Sequence, residues 1–548
     1  MTSTDIILGI YEVHNASAAI IIDGEVIAAA HEERFTGIKN DVGFPVNAAR
    51  FCMNFANVQP YQITSVALSN ESFNKNGVAN IILKRPALYS ISDWVKENNI
   101  YWKNTLIGNS KKETYFFDMG GWDRVNSDFY NEKNIKFDYD NEVFMNSFNE
   151  LRIDIVKNVL GISTENIVFV PHFICHHYHA YYSSYYRSNN VLVAHIEGDG
   201  GLYNSAVSLP STNGLILQNG TNKADIGRLY QWMTLLMGMK PYHHEYKLMG
   251  LAPYATELEV QKSLKVFEDI FFVDPNEILI KYKNKPHDLY FYFKNLLEGH
   301  RFDGIAGALQ RTLEQLLVKW FNMLTEKYNK STICYGGGVA MNVKANGVAL
   351  TESNIKNLFV PLSPSDESNA IGAAYYSFEK KLVINGEDPN KKLLPLPNAY
   401  LGKNIKTDQI KKALLDYKIN SEDFVITNGP ASTKKFIEKI ISGSVVARCV
   451  GREEFGQRSL GNRSILAMPN IRDIVEKINF KIKYRDFWMP FCPVILEEYA
   501  SDFLENSDPE NSRFMTTAYK TILETRDQII GGIHPADYTA RPQILNSK

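Results

Sequence analysis

One local pattern occurs twice in this chain and limits its architecture more than any other feature. It is an apolar strand, a small polar loop and a tight hairpin. Residues 6–13 are apolar and largely β-branched, and residues 17–22 and 25–30 flank Asp23-Gly24, a strong signal for a two-residue hairpin. Residues 191–197 form a second buried-strand run, followed by Gly198-Asp199-Gly200-Gly201. Residues 204–209 and 215–218 then flank a turn containing Asn213-Gly214. A supersecondary unit repeated this far along a chain reads as a duplication that builds two lobes. Between the two copies lies an aromatic-rich stretch, about 70–140, without a clear period. After it, Phe144, Phe148, Leu151, Ile155 and Val159 recur at helical spacing, and Gly161 suits the C-cap.

Two lobes facing each other across a cleft are the architecture of actin-like ATP-binding folds. The chain has room for more, because 548 residues exceed one compact domain. From 385 to 397 it turns polar and proline-bearing (NGEDPNKKLLPLP), which predicts a boundary. The expected organisation is α/β. A duplicated, two-lobed actin-like domain spans 1–385, a linker spans 386–399, and a smaller α+β domain spans 400–548. A formal net charge of -2 gives no basic field for nucleic acid or an anionic membrane. The five scattered cysteines form no disulfide framework. The expectation is a soluble, cytoplasmic enzyme.

Four constellations carry chemistry. His14 lies at the turn after the first strand, where an imidazole facing the cleft can take a proton from a hydroxyl. Spacing alone favours a turn histidine that bonds a backbone carbonyl. Cys175-His176-His177-Tyr178-His179 places His179 over Cys175 and His176 if the stretch is helical. With three histidines in four residues, a metal site is expected on His176 and His179, with Cys175 as an alternative ligand. Glu197 or Asp199 and Asp366 are the candidate oxygen ligands. Two nitrogens with carboxylates suit iron, manganese or zinc better than calcium. Gly336-Gly337-Gly338 follows a strand and opens a helix, so backbone N–H groups can approach a nucleotide. Asn342 and Asn346, one turn apart, are expected to point at the same ligand. The densest segment is GREEFGQRSLGNRS, residues 451–464, with Arg452, Arg458, Arg463, Asn462 and Ser464 among glycines; Lys483 and Arg485 follow. Guanidinium forks bind phosphate bidentately, so a phosphate-anion pocket is expected there.

Together these residues resemble the carbamoyltransferase family that includes the antibiotic-tailoring and nodulation-factor O-carbamoyltransferases. The resemblance spans nearly the whole chain. It rests on the His14-x-x-Ser17 turn, the histidine segment ending in His179-Ala180, and Glu245-Tyr246-Lys247-Leu248-Met249-Gly250-Leu251-Ala252. It continues in Gly336 to Asn342 with Asn346, in Asp366 to Ala373, and in the specific GREEFGQRSLGNRSIL segment. The resemblance implies a large domain similar to the ATP-binding, metal-containing domain of tRNA threonylcarbamoyl synthesis. It implies a smaller one similar to the adenylate-forming YrdC type. Carbamoyl phosphate and ATP then give carbamoyl-adenylate and pyrophosphate, and the carbamoyl group passes to an acceptor hydroxyl. On this resemblance His14 is the catalytic base, and Gly336, Gly337, Gly338, Asn342, Asn346 and Lys247 bind the nucleotide. Arg452, Glu454, Arg458, Asn462, Arg463, Ser464, Lys483 and Arg485 bind carbamoyl phosphate. The implied metal is iron, with magnesium, manganese and zinc as alternatives. A homodimer and a biosynthetic role in secondary metabolism are family-level expectations. Two departures stand out: Cys175 where a histidine four before His179 is usual, and Glu197 where an aspartate is usual.

Competing readings are an actin-like sugar kinase or ATPase, which has no use for the arginine segment, and a tRNA-modification component, against which the near-neutral charge argues. The acceptor is a small molecule or sugar. The aromatic stretch and residues 290–293 shape its pocket or merely pack.

Overall fold

The computed structural model describes residues 4–70, 77–78, 82, 89–108, 115–118, 129–130, 134–135, 140–188, 190–198, 201–417 and 430–546. The chain divides into two compact units, Met1–Pro397 and Asn398–Lys548.

The first unit carries two five-stranded sheets of the same topology. In the first sheet, β1 (Ile6–Tyr11), β2 (Ser17–Ile22) and β3 (Glu25–His31) form an antiparallel meander. The strands β4 (Ser65–Ser69) and β5 (Ile167–Val170) add in parallel on the other side of β1, giving the order β3-β2-β1-β4-β5. In the second sheet, β6 (Val191–Ile196), β7 (Ser205–Ser211) and β8 (Gly214–Thr221) repeat the meander. The strands Thr332–Gly336 and Asn357–Phe359 add in parallel beside β6. The duplication read from the sequence is therefore present strand for strand, and the fold is a duplicated, actin-like α/β architecture.

The reason lies in the burial pattern. β1 and β6 are buried along their whole length, as expected of central strands covered on both faces, and each lobe packs its own core. Ile6, Leu8, Ile20, Val66 and Phe148 belong to the first core. Leu192, Val207, Trp232, Leu317 and Trp320 belong to the second. The lobes interlock through the helix Asn369–Ile384, which follows the second sheet yet packs against β1 of the first. A Cβ on Gly9 would overlap the carbonyl of Ala370, and a Cβ on Gly372 would overlap the carbonyl of Cys175. Only glycine permits backbone to approach backbone so closely.

The predicted helix at 144–159 is present as Asn141–Asp154 and continues in a wider turn through Val159. The segment expected to be a linker differs. Residues 386–397 contain a helical turn, Pro389–Lys392, and are built into the first unit. Leu394 N–H donates to Gly24 O at 2.9 Å, Arg187 donates to Leu393 O at 2.7 Å, and Leu393 is fully buried. Its prolines and charges mislead because the groups that hold it, the Gly24 carbonyl and the Arg187 side chain, are distant in sequence.

The second unit is made of short elements. The strands Val446–Cys449 and Arg463–Leu466 form an antiparallel pair, and Val494–Leu496 runs parallel to Gln543–Leu545. No described helix is long and apolar enough to cross a membrane.

Candidate metal and base site

The site assembles where β1 and β6 end. Carboxyl ends of central strands are where open α/β sheets place ligands. The helix His172–Tyr182 starts two residues after β5 and presents His172 and His176, four apart, on one face. Glu197 follows the last residue of β6, and Asp366 opens the turn that leads into the helix Asn369–Ile384. One ligand atom from each of these four buried residues lies within 4.8 Å of all the others.

The distances within the cluster match a coordination shell. His172 Nε2 and His176 Nε2 are 3.1 Å apart, and Glu197 Oε2 is 2.9 Å from the first and 3.1 Å from the second. Asp366 Oδ1 lies 3.5 Å from His172 Nε2 and 3.4 Å from His176 Nε2. Ligand atoms about 2.1 Å from a cation stand about 3.0 Å apart at right angles and about 3.4 Å apart in a tetrahedron. Two ring nitrogens facing each other and the same two carboxylates suit a shared cation better than a chain of hydrogen bonds. The donor set therefore fits a divalent metal of the iron, manganese or zinc type. Outer contacts fix the rings, since His172 Nδ1 lies 2.5 Å from Asn70 Oδ1. Electrostatics agree. Burial disfavours charge on His172, yet Glu197 and Asp366 outweigh it and raise the pKa well above the ordinary value. Burial likewise opposes charge on both carboxylates, yet the histidines hold them well below the usual range.

His14 adjoins this cluster. Its Nε2 is 3.3 Å from Asp366 Oδ2, and Tyr11 donates its hydroxyl to the same oxygen at 2.8 Å. The His14 ring packs at 4.6 Å on Tyr242, which in turn packs at 5.3 Å on Trp94 from the aromatic stretch. Most of that stretch lies outside the described residues. Phe293 of the second aromatic group is buried and stacks on Phe267 at 5.5 Å, so it packs the core.

The glycine loop lies against the same cluster. A Cβ on Gly336 would stand 3.1 Å from His176 O, Gly337 has φ of 89° and donates to Pro364 O at 2.9 Å, and Ser365 is the nearest neighbour of Gly338. Lys247 sits on the helix Glu245–Leu251.

Several expected site residues are placed elsewhere. His179 is not a member of the cluster. Its Nε2 bonds Leu362 O at 2.7 Å, its Nδ1 bonds Ser183 Oγ at 3.0 Å, and burial lowers its pKa to about 4. Cys175 turns away into an apolar group with Ala67, Val170 and Ala373, and burial pushes its thiol up. Asp199 lies outside the described residues. The residue that sequence reasoning missed is His172, although its four-residue spacing to His176 was visible. The departure at Cys175 disappears once the pair is shifted by three residues. Asn342 and Asn346 do not converge on a ligand either. Asn342 caps the helix Val343–Glu352 through Ala345 N–H and pairs with Gln310, and Asn346 donates to Ala340 O at 2.8 Å.

In the second unit, the arginines are mostly bound to neighbouring backbone of the same unit. Arg452 donates to Leu401 O at 2.5 Å, Arg463 to Val450 O at 2.5 Å and Gly451 O at 3.1 Å, and Arg485 to Asn479 Oδ1 at 2.5 Å and Pro490 O at 3.1 Å. Glu454 is enclosed by the loop, its Oε1 accepting from the N–H groups of Leu460, Asn462 and Arg463. Asn462 donates to Arg452 O at 2.7 Å. Arg452, Arg463, Arg485, Glu454 and the Asn462 side chain thus shape the loop. Ser464 belongs to the loop as well, its Oγ accepting from Gly461 N–H at 2.9 Å, and Arg458 and Lys483 are candidates for an anion on the chemistry of their cations alone.

Comparison with known proteins places this geometry. Residues 6–375 match the family model of the carbamoyltransferase N-terminus, and residues 437–548 match that of the carbamoyltransferase C-terminus. An uncharacterized protein of Methanocaldococcus jannaschii is 28% identical over 98% of this chain and 87% of its own length. The nodulation protein NolNO of Sinorhizobium fredii is 24% identical, covering 97% of this chain and 70% of that protein. Among solved structures, component A of the (R)-2-hydroxyglutaryl-CoA dehydratase of Acidaminococcus fermentans aligns over 69% of this chain and 98% of that one at 13% identity. Its TM-score is 0.35, a likeness too distant to add to the topology. Two family models in the correct order cover both units: this chain is a transferase of the carbamoyltransferase family.

Proposed function

We propose that the protein is an ATP-dependent O-carbamoyltransferase. One water cleaves carbamoyl phosphate to carbamate and inorganic phosphate, and a carbamate oxygen then attacks the α-phosphorus of ATP to give carbamoyl-adenylate with release of pyrophosphate. The carbamoyl group then passes to a hydroxyl of a small-molecule or sugar acceptor, and AMP leaves. The first unit holds the nucleotide and metal and performs the transfer. The second binds carbamoyl phosphate and forms the adenylate.

One observation carries the reading: Asp366 serves two neighbours with its two oxygens. Oδ1 faces the histidine pair, and Oδ2 accepts from Tyr11 and faces His14. With Nε2–H directed at Asp366, the basic lone pair of His14 lies on Nδ1, the arrangement of a base oriented by a carboxylate. His14 takes the proton of the acceptor hydroxyl as its oxygen attacks the carbamoyl carbon, and the adenylate oxygen departs with AMP. A divalent cation held by His172, His176, Glu197 and Asp366 would supply a Lewis-acid anchor for phosphate oxygens beside the glycine loop. The test is exchange of labelled pyrophosphate into ATP by the purified protein. Exchange that requires carbamoyl phosphate supports the reading. Exchange without it, or none in a protein that still transfers, overturns it.

A further inference from the structure

The carboxylate of Glu197 has a second oxygen that the four-residue cluster leaves over. Oε1 is buried and has no hydrogen-bond partner among the described residues. His195 Nε2 faces it at 3.6 Å, longer than a hydrogen bond. His195 and Glu197 are two apart at the end of β6, so their side chains leave the same face of the sheet.

Behind His195 runs a continuous buried chain. Its Nε2 lies 3.3 Å from Tyr203 O, and its Nδ1 lies 2.9 Å from His177 Nε2. His177 Nδ1 in turn lies 2.8 Å from Ser208 Oγ on β7. Both rings and the serine are fully buried. His177 is the helix residue next to His176, turned about 100° around the axis toward the second sheet.

The direction of this chain follows from its partners. A carbonyl and a carboxylate only accept, so His195 must carry its proton on Nε2. Its Nδ1 is then an acceptor, which requires the proton of His177 on Nε2. His177 Nδ1 accepts in turn, and Ser208 rotates its hydroxyl to donate. Each tautomer is set by the bond that the other nitrogen makes.

We infer that His195, held in its Nε2–H tautomer by the Tyr203 carbonyl and Glu197 and backed by His177 and Ser208, is a positioning residue that turns Glu197 so that Oε2 alone faces the histidine pair. From 3.6 Å the polar N–H attracts Oε1 without a full hydrogen bond, which favours the orientation that keeps Oε1 out of the cluster and Glu197 a one-oxygen ligand. A glutamate is one methylene longer than an aspartate and has more torsional freedom. The chain of imidazoles removes that freedom from the protein side. This inference rests on the four-residue metal reading.

The experiment uses Co²⁺ and the full chain. Wild type, His195→Leu, His195→Gln and Ser208→Ala are titrated with Co²⁺ against a competing chelator, with visible spectra recorded and melting temperatures compared. Loss of the donor in His195→Leu should weaken Co²⁺ binding by roughly 10–100-fold, the usual effect of losing an outer-shell partner, and should change the visible bands. His195→Gln, whose amide replaces the N–H, should recover most of the affinity. Ser208→Ala should lose less and should keep the Nε2–H tautomer of His195 by imidazole ¹⁵N NMR, because the Tyr203 carbonyl and Glu197 that set it are unchanged. Folded His195→Leu with wild-type affinity and spectrum overturns the inference while the metal reading stands. If His195→Leu does not fold, the wild-type tautomer decides, and a His195 that carries its proton on Nδ1 in the ¹⁵N spectrum overturns the inference. Wild-type protein that takes up no Co²⁺ overturns the metal reading and the positioning role together.

Discussion

As stretches of sequence, the histidine helix of the first unit and the arginine loop of the second unit are alike, since both are dense in groups that bind ligands. In three dimensions they differ. The histidines and carboxylates of the helix site face each other with their ligand atoms about a coordination edge apart, an arrangement that a fold has no reason to build for itself. The arginines of the loop mostly face backbone carbonyls, which a fold needs in order to hold a loop of glycines. Density of functional groups is therefore a poor guide to a ligand. Convergence of groups whose partners are of their own kind is a better one.

This contrast is open to direct tests. The largest expected effect is at the base. His14→Asn should slow carbamoyl transfer by about 10²–10⁴-fold while carbamoyl-phosphate-dependent pyrophosphate exchange continues. Equal losses in both assays would place His14 with the nucleotide instead. Next is Arg458→Ala, which should raise the KM for carbamoyl phosphate by roughly 10–100-fold in the folded protein, the effect of removing one charge-assisted bond. Arg463→Ala should show the reverse pattern. Carbonyls of Val450 and Gly451 lose their donor to water, so the second unit should lose about 0.5–1.5 kcal/mol in denaturant unfolding, with the KM unchanged. If Arg463→Ala alters the KM and leaves stability intact, the contrast between the regions fails.

The last effect is read as a slope. Burial, aided by Arg34, lowers the pKa of His31 to about 3, so the folded chain keeps this ring neutral. Below about pH 6.5 the unfolded chain takes up the proton and the folded chain does not, so stability falls as pH falls. Between about pH 6 and 3 this group removes about 1.4 kcal/mol per pH unit. His31→Gln should flatten the acid limb by that amount in urea titrations at stepped pH, and an unchanged slope would refute the assignment.

How much of this was legible beforehand follows from the nature of each signal. The strand-loop-hairpin repeat was readable because hairpin turns and buried strands have local signatures. His14, Glu197 and Asp366 could be read because each sits at the end of a strand or the start of a helix. His172 was passed over because the Cys175–His179 cluster drew the pair three residues along, although the His172–His176 spacing was equally helical. The roles of Arg452 and Arg463 left no trace in the sequence, because their partners are carbonyl groups that every residue carries. The His195–His177–Ser208 chain depends on how a helix lies across a strand, and no periodicity encodes that.

The glycines that let Asn369–Ile384 settle against β1 and against the histidine helix have one more consequence. Asp366 stands three residues before that helix, so its reach to the histidines and to His14 is measured along a rod clamped backbone to backbone at Gly9 and Gly372. Such clamps have no rotamers to change. Mutations that reshape the surrounding loops for a new acceptor leave the spacing of the reactive groups untouched, whereas one added methyl at Gly372 would shift it without altering any residue of the site. The fold thereby separates what can drift from what must stay in register.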